Sequence, residues 1–210
     1  MAIIDNGILG GFRGKIGPVV GVSNGGTFYM RSRPRKKKDA EAGELSNRAK
    51  FKMVIDHLHP LKALVKAGFK NYYTKTGGYR AALSYNRKHA LLVDGTTFHV
   101  APDLFRFSGG VLPMAVDPSV SLADDVLEIS WNISGSDGTG HSDQLMVLVY
   151  DRTTSEAATQ IYDGAFRGEG RDQVSIPAKM RGGEADIYIA FVAADRSGQS
   201  DSQYLGRLTL

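Results

Sequence analysis

The spacing of apolar residues changes once along this chain, near residue 97, and no single regular element satisfies both patterns. Before that point Phe51, Val54, Ile55, Leu58, Leu61, Leu64 and Val65 recur at intervals of three and four, the stripe of an amphipathic helix. After it the period is two. Leu127, Ile129, Trp131 and Ile133 alternate with Glu128, Ser130 and Asn132, which places the first set inward on a strand with one buried face. The pattern predicts an α+β chain: an N-terminal β-hairpin plus helices, followed by an all-β immunoglobulin-like sandwich. The expected divisions are 1–38, a glycine-rich basic arm and β-hairpin; 39–96, a helical region; and 97–210, the sandwich.

Within the first region, β-prone runs over 18–23 and 27–32 flank Asn24-Gly25-Gly26, a strong hairpin signal. In the helical region Pro60 predicts a kink or two abutting helices, and Gly68 a stop. A further helix is expected over 78–92, after a loop at 74–78. Strands are expected over 98–101, 104–107, 126–133, 144–150, 159–162, 173–176, 185–194 and 204–208. Gly, Ser and Asp cluster between them, as in an immunoglobulin-like or fibronectin-III-like sandwich with Trp131 in its core.

Charge divides along the same axis. Residues 1–100 hold 18 Lys and Arg against six Asp and Glu; residues 101–210 hold eight against 16. The halves therefore carry +12 and −8, consistent with the net +4. A basic half attracts nucleic acid or another polyanion, and the acidic half of a second copy is an equally natural partner. The 210 residues include no cysteine, which excludes disulfides, thiolate zinc sites and thiol catalysis. The opening MAIIDNGILGG has neither the basic start nor the apolar core of a signal peptide. No apolar run approaches the roughly 20 residues of a membrane span. Synthesis in the cytoplasm without a signal peptide is the expectation.

Three stretches occur together: Gly10-Gly11-Phe12-Arg13-Gly14-Lys15-Ile16-Gly17-Pro18-Val19-Val20-Gly21, a strand ending Tyr29-Met30-Arg31-Ser32-Arg33-Pro34, and the helical Arg48-Ala49-Lys50-Phe51 with Leu58, Pro60-Leu61 and Gly68-Phe69. Ala82-Leu83-Ser84-Tyr85-Asn86 adds a fourth. In these the chain resembles a family of bacterial proteins of unknown function. The resemblance covers roughly the first 90 residues, and the remainder is similar to a generic β-sandwich. It implies no activity and no catalytic residues.

The segment GILGGFRGKIG at 7–17 invites a nucleotide-binding reading, which its spacing denies. A P-loop ending at Gly14-Lys15 would need glycine at position 9, where Leu9 stands, and a hydroxyl where Ile16 stands. The glycines instead allow close backbone approach, with Ile8, Leu9, Phe12 and Ile16 as expected assembly contacts. Docking of this segment on the chain's own sandwich is weighed equally. Arg31, Arg33, Arg35, Lys36, Lys37 and Lys38 form the candidate anion or nucleic-acid site, and Tyr29, Tyr72 and Tyr73 are candidate stacking partners. A solvated linker is the plainer reading of that run.

His57 and His59 point to different helix faces and make a poor metal pair, so a capping or surface role is expected. The polar run at 134–143 lacks the ligand spacing of an EF-hand. No catalytic residue, metal or cofactor is assigned. The expected function is a non-enzymatic structural protein that self-assembles into a filament, tube or virion-like particle through its N-terminal region. The alternative is a nucleic-acid-binding or packaging protein. A third reading is a module that binds a protein or glycan through its sandwich loops.

Overall fold

The computed structural model describes residues 2–4, 7, 10–34, 39–72, 77–95, 97–133 and 140–210. They form two compact units, Met1–Leu45 and Ser46–Leu210.

The first unit is an antiparallel meander of β1 (Ile3–Ile4), β2 (Phe12–Ile16), β3 (Val19–Asn24) and β4 (Thr27–Ser32). Asn24 pairs with Thr27, so Gly25 and Gly26 alone make the turn, with φ of 57° and 84°. Two successive positive φ values match the twist of the flanking strands. The glycine-rich opening is largely strand. A Cβ on Gly21 would lie 2.3 Å from the Phe12 carbonyl oxygen, and one on Gly11 2.1 Å from the Phe28 ring. These glycines let aromatic residues lie against the backbone.

The helix α1 (Ala42–Leu58), in the second unit from Ser46 onward, stops ahead of Pro60, and Leu61 N–H donates to the Leu58 carbonyl at 3.1 Å. Two abutting helices result, with α2 at Lys62–Gly68 and then α3 at Gly78–His89. A short hairpin, β5 (Leu91–Asp94) and β6 (Thr97–Val100), follows. The strand expected over 104–107 does not form. Its backbone is held by side chains instead: Asn86 donates to the Arg106 carbonyl at 2.7 Å and accepts from Arg106 N–H at 2.9 Å. Phe107 N–H donates to Ser202 Oγ at 3.2 Å.

Seven antiparallel strands complete the unit: β7 (Val116–Ala123), β8 (Val126–Asn132), β9 (Gln144–Asp151), β10 (Ala157–Gln160), β11 (Arg171–Ser175), β12 (Glu184–Val192) and β13 (Gln203–Thr209). One sheet runs β11-β8-β7 and the other β10-β9-β12-β13. The fourth strand, β10, sits beside the third rather than in the sheet of the first two. That is a fibronectin-III-like arrangement, unlike the constant immunoglobulin domain, whose fourth strand joins the first two.

Leu127, Ile129 and Trp131 of β8 pack against Leu145, Val147 and Val149 of β9 and Ile187, Ile189 and Phe191 of β12. The other face of β9 and β12 is covered as well. Met146, Leu148, Tyr150, Tyr188, Ala190 and Val192 share a core with Val54, Leu58, Leu61, Leu64, Val65 and Phe69 from the helical region. Burial on both faces explains why β9 and β12 read as nearly unbroken apolar runs. Ile133, expected inward, is 43% exposed, because β8 ends one residue earlier at Asn132.

Candidate functional site

Ile8, Leu9, Arg35, Lys36, Lys37, Lys38 and Tyr73 lie outside the described residues. Phe12 is half-buried, opposite Ile4 and over Gly21. Ile16 is 48% exposed, and Arg31 and Arg33 are exposed. Every residue of β4 is exposed, and Met30 and Ile3 reach 70% and 68%. Gly21 is the sole buried residue among those described in Met1–Leu45. Gly10, Gly11, Phe12, Phe28, Tyr29 and Met30 line a cavity of about 270 Å³.

A larger groove of about 660 Å³ lies between α1, α3 and β5. Lys50, Arg80, Arg87 and Lys88 line it, over Leu83, Leu91 and Val93, and among the described residues no acidic one does. Positions 80, 84, 87 and 88 share one face of α3 because helical neighbours recur at three and four. Arg87 Nη2 donates to Asn47 Oδ1 at 2.6 Å, and its guanidinium lies 5.7 Å from the centre of the exposed Phe51 ring. The groove's cations are spread over 50–88 and meet only once α1 and α3 pack.

A third cavity, of about 330 Å³, is bounded by α1, β6, β9 and β12. His57 does not take the surface or capping role expected of it. Its ring centre sits 4.7 Å from that of Phe105 and 4.3 Å from that of Tyr150. Burial pulls its pKa down from 6.5 to about 4, with Asp186 opposing and Arg152 assisting, so the ring is neutral at pH 7. Asp186 is buried in β12. Its Oδ1 accepts from Tyr204 Oη at 2.9 Å and Arg207 Nε at 3.1 Å, while Oδ2 lies 3.8 Å from Arg152 Nε.

Burial, helped by Asp186, moves the Tyr188 phenol far above its ordinary value. Tyr204 is pushed up to about 12 by burial and by its bond to Asp186. Tyr150 also rises, its burial outweighing a hydrogen bond with Ser155. These neutral phenols can donate and accept hydrogen bonds at any pH the fold tolerates. Asp186 and Tyr188 alternate with apolar residues on a strand buried on both faces, so no periodicity marks them.

Among the described residues no three His, Cys, Asp or Glu gather closely enough to hold a metal ion, and no helix is long and apolar enough to cross a membrane. The class of protein defined is a seven-stranded sandwich with helices on the outer face of its larger sheet, preceded in sequence by an antiparallel meander. The chain belongs to the family of unknown function DUF6266, whose pattern matches residues 11–206. No curated protein matches it.

Proposed function

We propose that this chain is a non-enzymatic structural protein that assembles with copies of itself through its N-terminal sheet. The observation that carries the reading is that Ile3, Ile4, Ile16, Phe28, Tyr29 and Met30 are all exposed on a sheet whose one buried described residue is a glycine. A sheet is stable when a face is covered, and the outer strands β1 and β4 offer unpaired backbone to another chain. The occupant is a second copy, because the halves of +12 and −8 favour contact between unlike ends and disfavour like ones. Such head-to-tail contacts close into rings or propagate as filaments according to the rotation between copies; a filament, tube or virion-like particle is the product.

The test is light scattering coupled to size exclusion, at low and high salt after nuclease treatment. The full chain is expected to form large uniform particles, and a chain lacking residues 1–17 to remain folded and fail to assemble. Assembly unchanged by the deletion would reject the mechanism.

A second reading, binding of nucleic acid, is favoured by the groove of Lys50, Arg80, Arg87 and Lys88, with no acidic lining among the described residues, and the exposed Phe51 beside it. Charge-driven contact of this kind weakens steeply with salt, and an aromatic ring adds stacking. Binding of a single-stranded oligonucleotide should weaken with salt, less steeply once Arg80, Arg87 and Lys88 are changed to Gln. An unaltered salt slope would reject this reading.

A further inference from the structure

We infer that the cavity between α1, β6 and the outer face of β9 and β12 binds a small, neutral, hydroxyl-rich ligand of monosaccharide size. Its volume of about 330 Å³ lies at the lower end of the range of small-molecule sites, roughly 300–1,000 Å³. Phe98, Val100, Pro102 and Tyr150 supply apolar wall, and a few polar groups converge within it.

The polar groups are short of partners. Tyr188 lines the cavity and is only 2% exposed. Among the described residues no hydrogen bond reaches its hydroxyl, and only burial and more distant charges act on it. The hydroxyl is open to the cavity rather than sealed in the core, so it can bond a ligand there. The His57 imidazole is likewise without a hydrogen bond among the described residues; when neutral it offers one donor and one acceptor. Oδ2 of Asp186 faces Arg152 at 3.8 Å, beyond hydrogen-bond reach, and retains accepting capacity.

The charges decide the ligand class. Asp56 and Asp186 line the cavity together with Arg152, and Arg207 bonds to Asp186. The lining thus mixes both signs, so an anion meets Asp56 and Asp186 and a cation meets Arg152. A neutral molecule avoids both, and only one able to donate and accept at neighbouring atoms satisfies Tyr188, His57 and Asp186 together. Hydroxyl groups do this. The ligand is a free monosaccharide or the terminal sugar of a glycan.

The experiment uses the full chain. Glucose, galactose, mannose and N-acetylglucosamine are titrated while backbone amide shifts and saturation transfer to the sugar are followed by NMR. A glycan array forms the second arm. Shifts at residues 57, 99, 150–155 and 186–188 with at least one sugar would support a free-sugar ligand. Binding on the array alone would support a glycan terminus.

Tyr188→Phe removes the hydroxyl and little else. It is expected to weaken binding about tenfold, the effect of one lost buried hydrogen bond, while the unliganded protein becomes no less stable. Arg80→Gln, in the separate groove, should leave binding intact. Equal affinity of Tyr188→Phe, tighter binding of acetate or methylammonium at these amides, or failure of every sugar in both arms would each overturn the proposal.

Discussion

Arg167 Nε donates to Oδ2 of Asp143 at 3.3 Å, and both side chains are buried. Both terminal nitrogens also donate: Nη2 reaches the Pro113 carbonyl at 2.7 Å and Nη1 that of Met114 at 3.3 Å. The guanidinium lies 3.7 Å from the centre of the Phe191 ring. The backbone joins in, with the Arg167 carbonyl accepting from Trp131 Nε1 at 2.8 Å. One residue thus ties the segment ahead of β7 and the entry to β9 to the sandwich core.

Removing one member of such a pair strands the other. Burial already raises the Asp143 pKa against the pull of Arg167, and lowers that of Arg167 against the pull of Asp143. Arg167→Met is expected to cost about 3–5 kcal/mol, read as a fall in the urea midpoint. Arg167→Lys should recover little, because a single ammonium cannot reproduce the planar fork that serves a carboxylate and two carbonyls. Replacing both partners, as Arg167→Met with Asp143→Leu, should cost less than Arg167→Met alone. A double variant weaker than the single one would show that the charges themselves stabilise the fold.

The glycines of the N-terminal sheet separate by what a methyl group would strike. At Gly21 the obstacle is the Phe12 carbonyl oxygen, 2.3 Å from the Cβ position, on the neighbouring strand. A backbone atom there cannot yield without breaking the Gly14–Gly21 register. Gly21→Ala should therefore abolish amide-exchange protection across β2 and β3. At Gly11 the obstacle is the Phe28 side chain, which can swing aside, so Gly11→Ala should keep the sheet and move the ring. Gly43 has open space around it in the first turn of α1, where Gly43→Ala should stabilise the helix by about 0.5–1 kcal/mol.

The elements legible from sequence are those with a local cause. Asn24-Gly25-Gly26 specified its turn, Pro60 divided α1 from α2, and the alternation over 127–131 placed Trp131 in the core. The strands β1, β2, β5 and β7 were not foreseen. In β2 glycines interrupt the alternation and gain their meaning only from the residues packed over them. β7, Val-Asp-Pro-Ser-Val-Ser-Leu-Ala, is polar at alternate positions and contains a proline. It meets β8 through Asp124 and Asp125, both with positive φ, a turn for which asparagine and glycine are the usual signal. The third cavity was illegible for another reason. Asp56 and His57 on α1, His99 on β6, Arg152 after β9 and Asp186 on β12 are far apart in sequence, and only the packing of helix on sheet makes them neighbours.

The histidine of that cavity makes stability depend on pH in a known direction. His57 has a pKa of about 4 in the folded chain against 6.5 for an ordinary imidazole. Between those values the unfolded chain takes up the proton and the folded chain does not, so acid favours unfolding. The contribution is fully present above about pH 6.5 and is lost as pH falls toward 4. Its ceiling is about 3 kcal/mol, reduced where solvent reaches the cavity mouth and the ring. Asp186 and Arg152 face the ring with opposite effects, and other carboxylates titrate in the same range, so the comparison must isolate this side chain. His57→Leu keeps an apolar body of similar bulk and cannot protonate. The melting temperature of the natural chain should fall faster than that of His57→Leu between pH 7 and pH 5, with the two curves parallel above pH 7. Parallel curves throughout would mean that the imidazole is solvated enough to titrate normally.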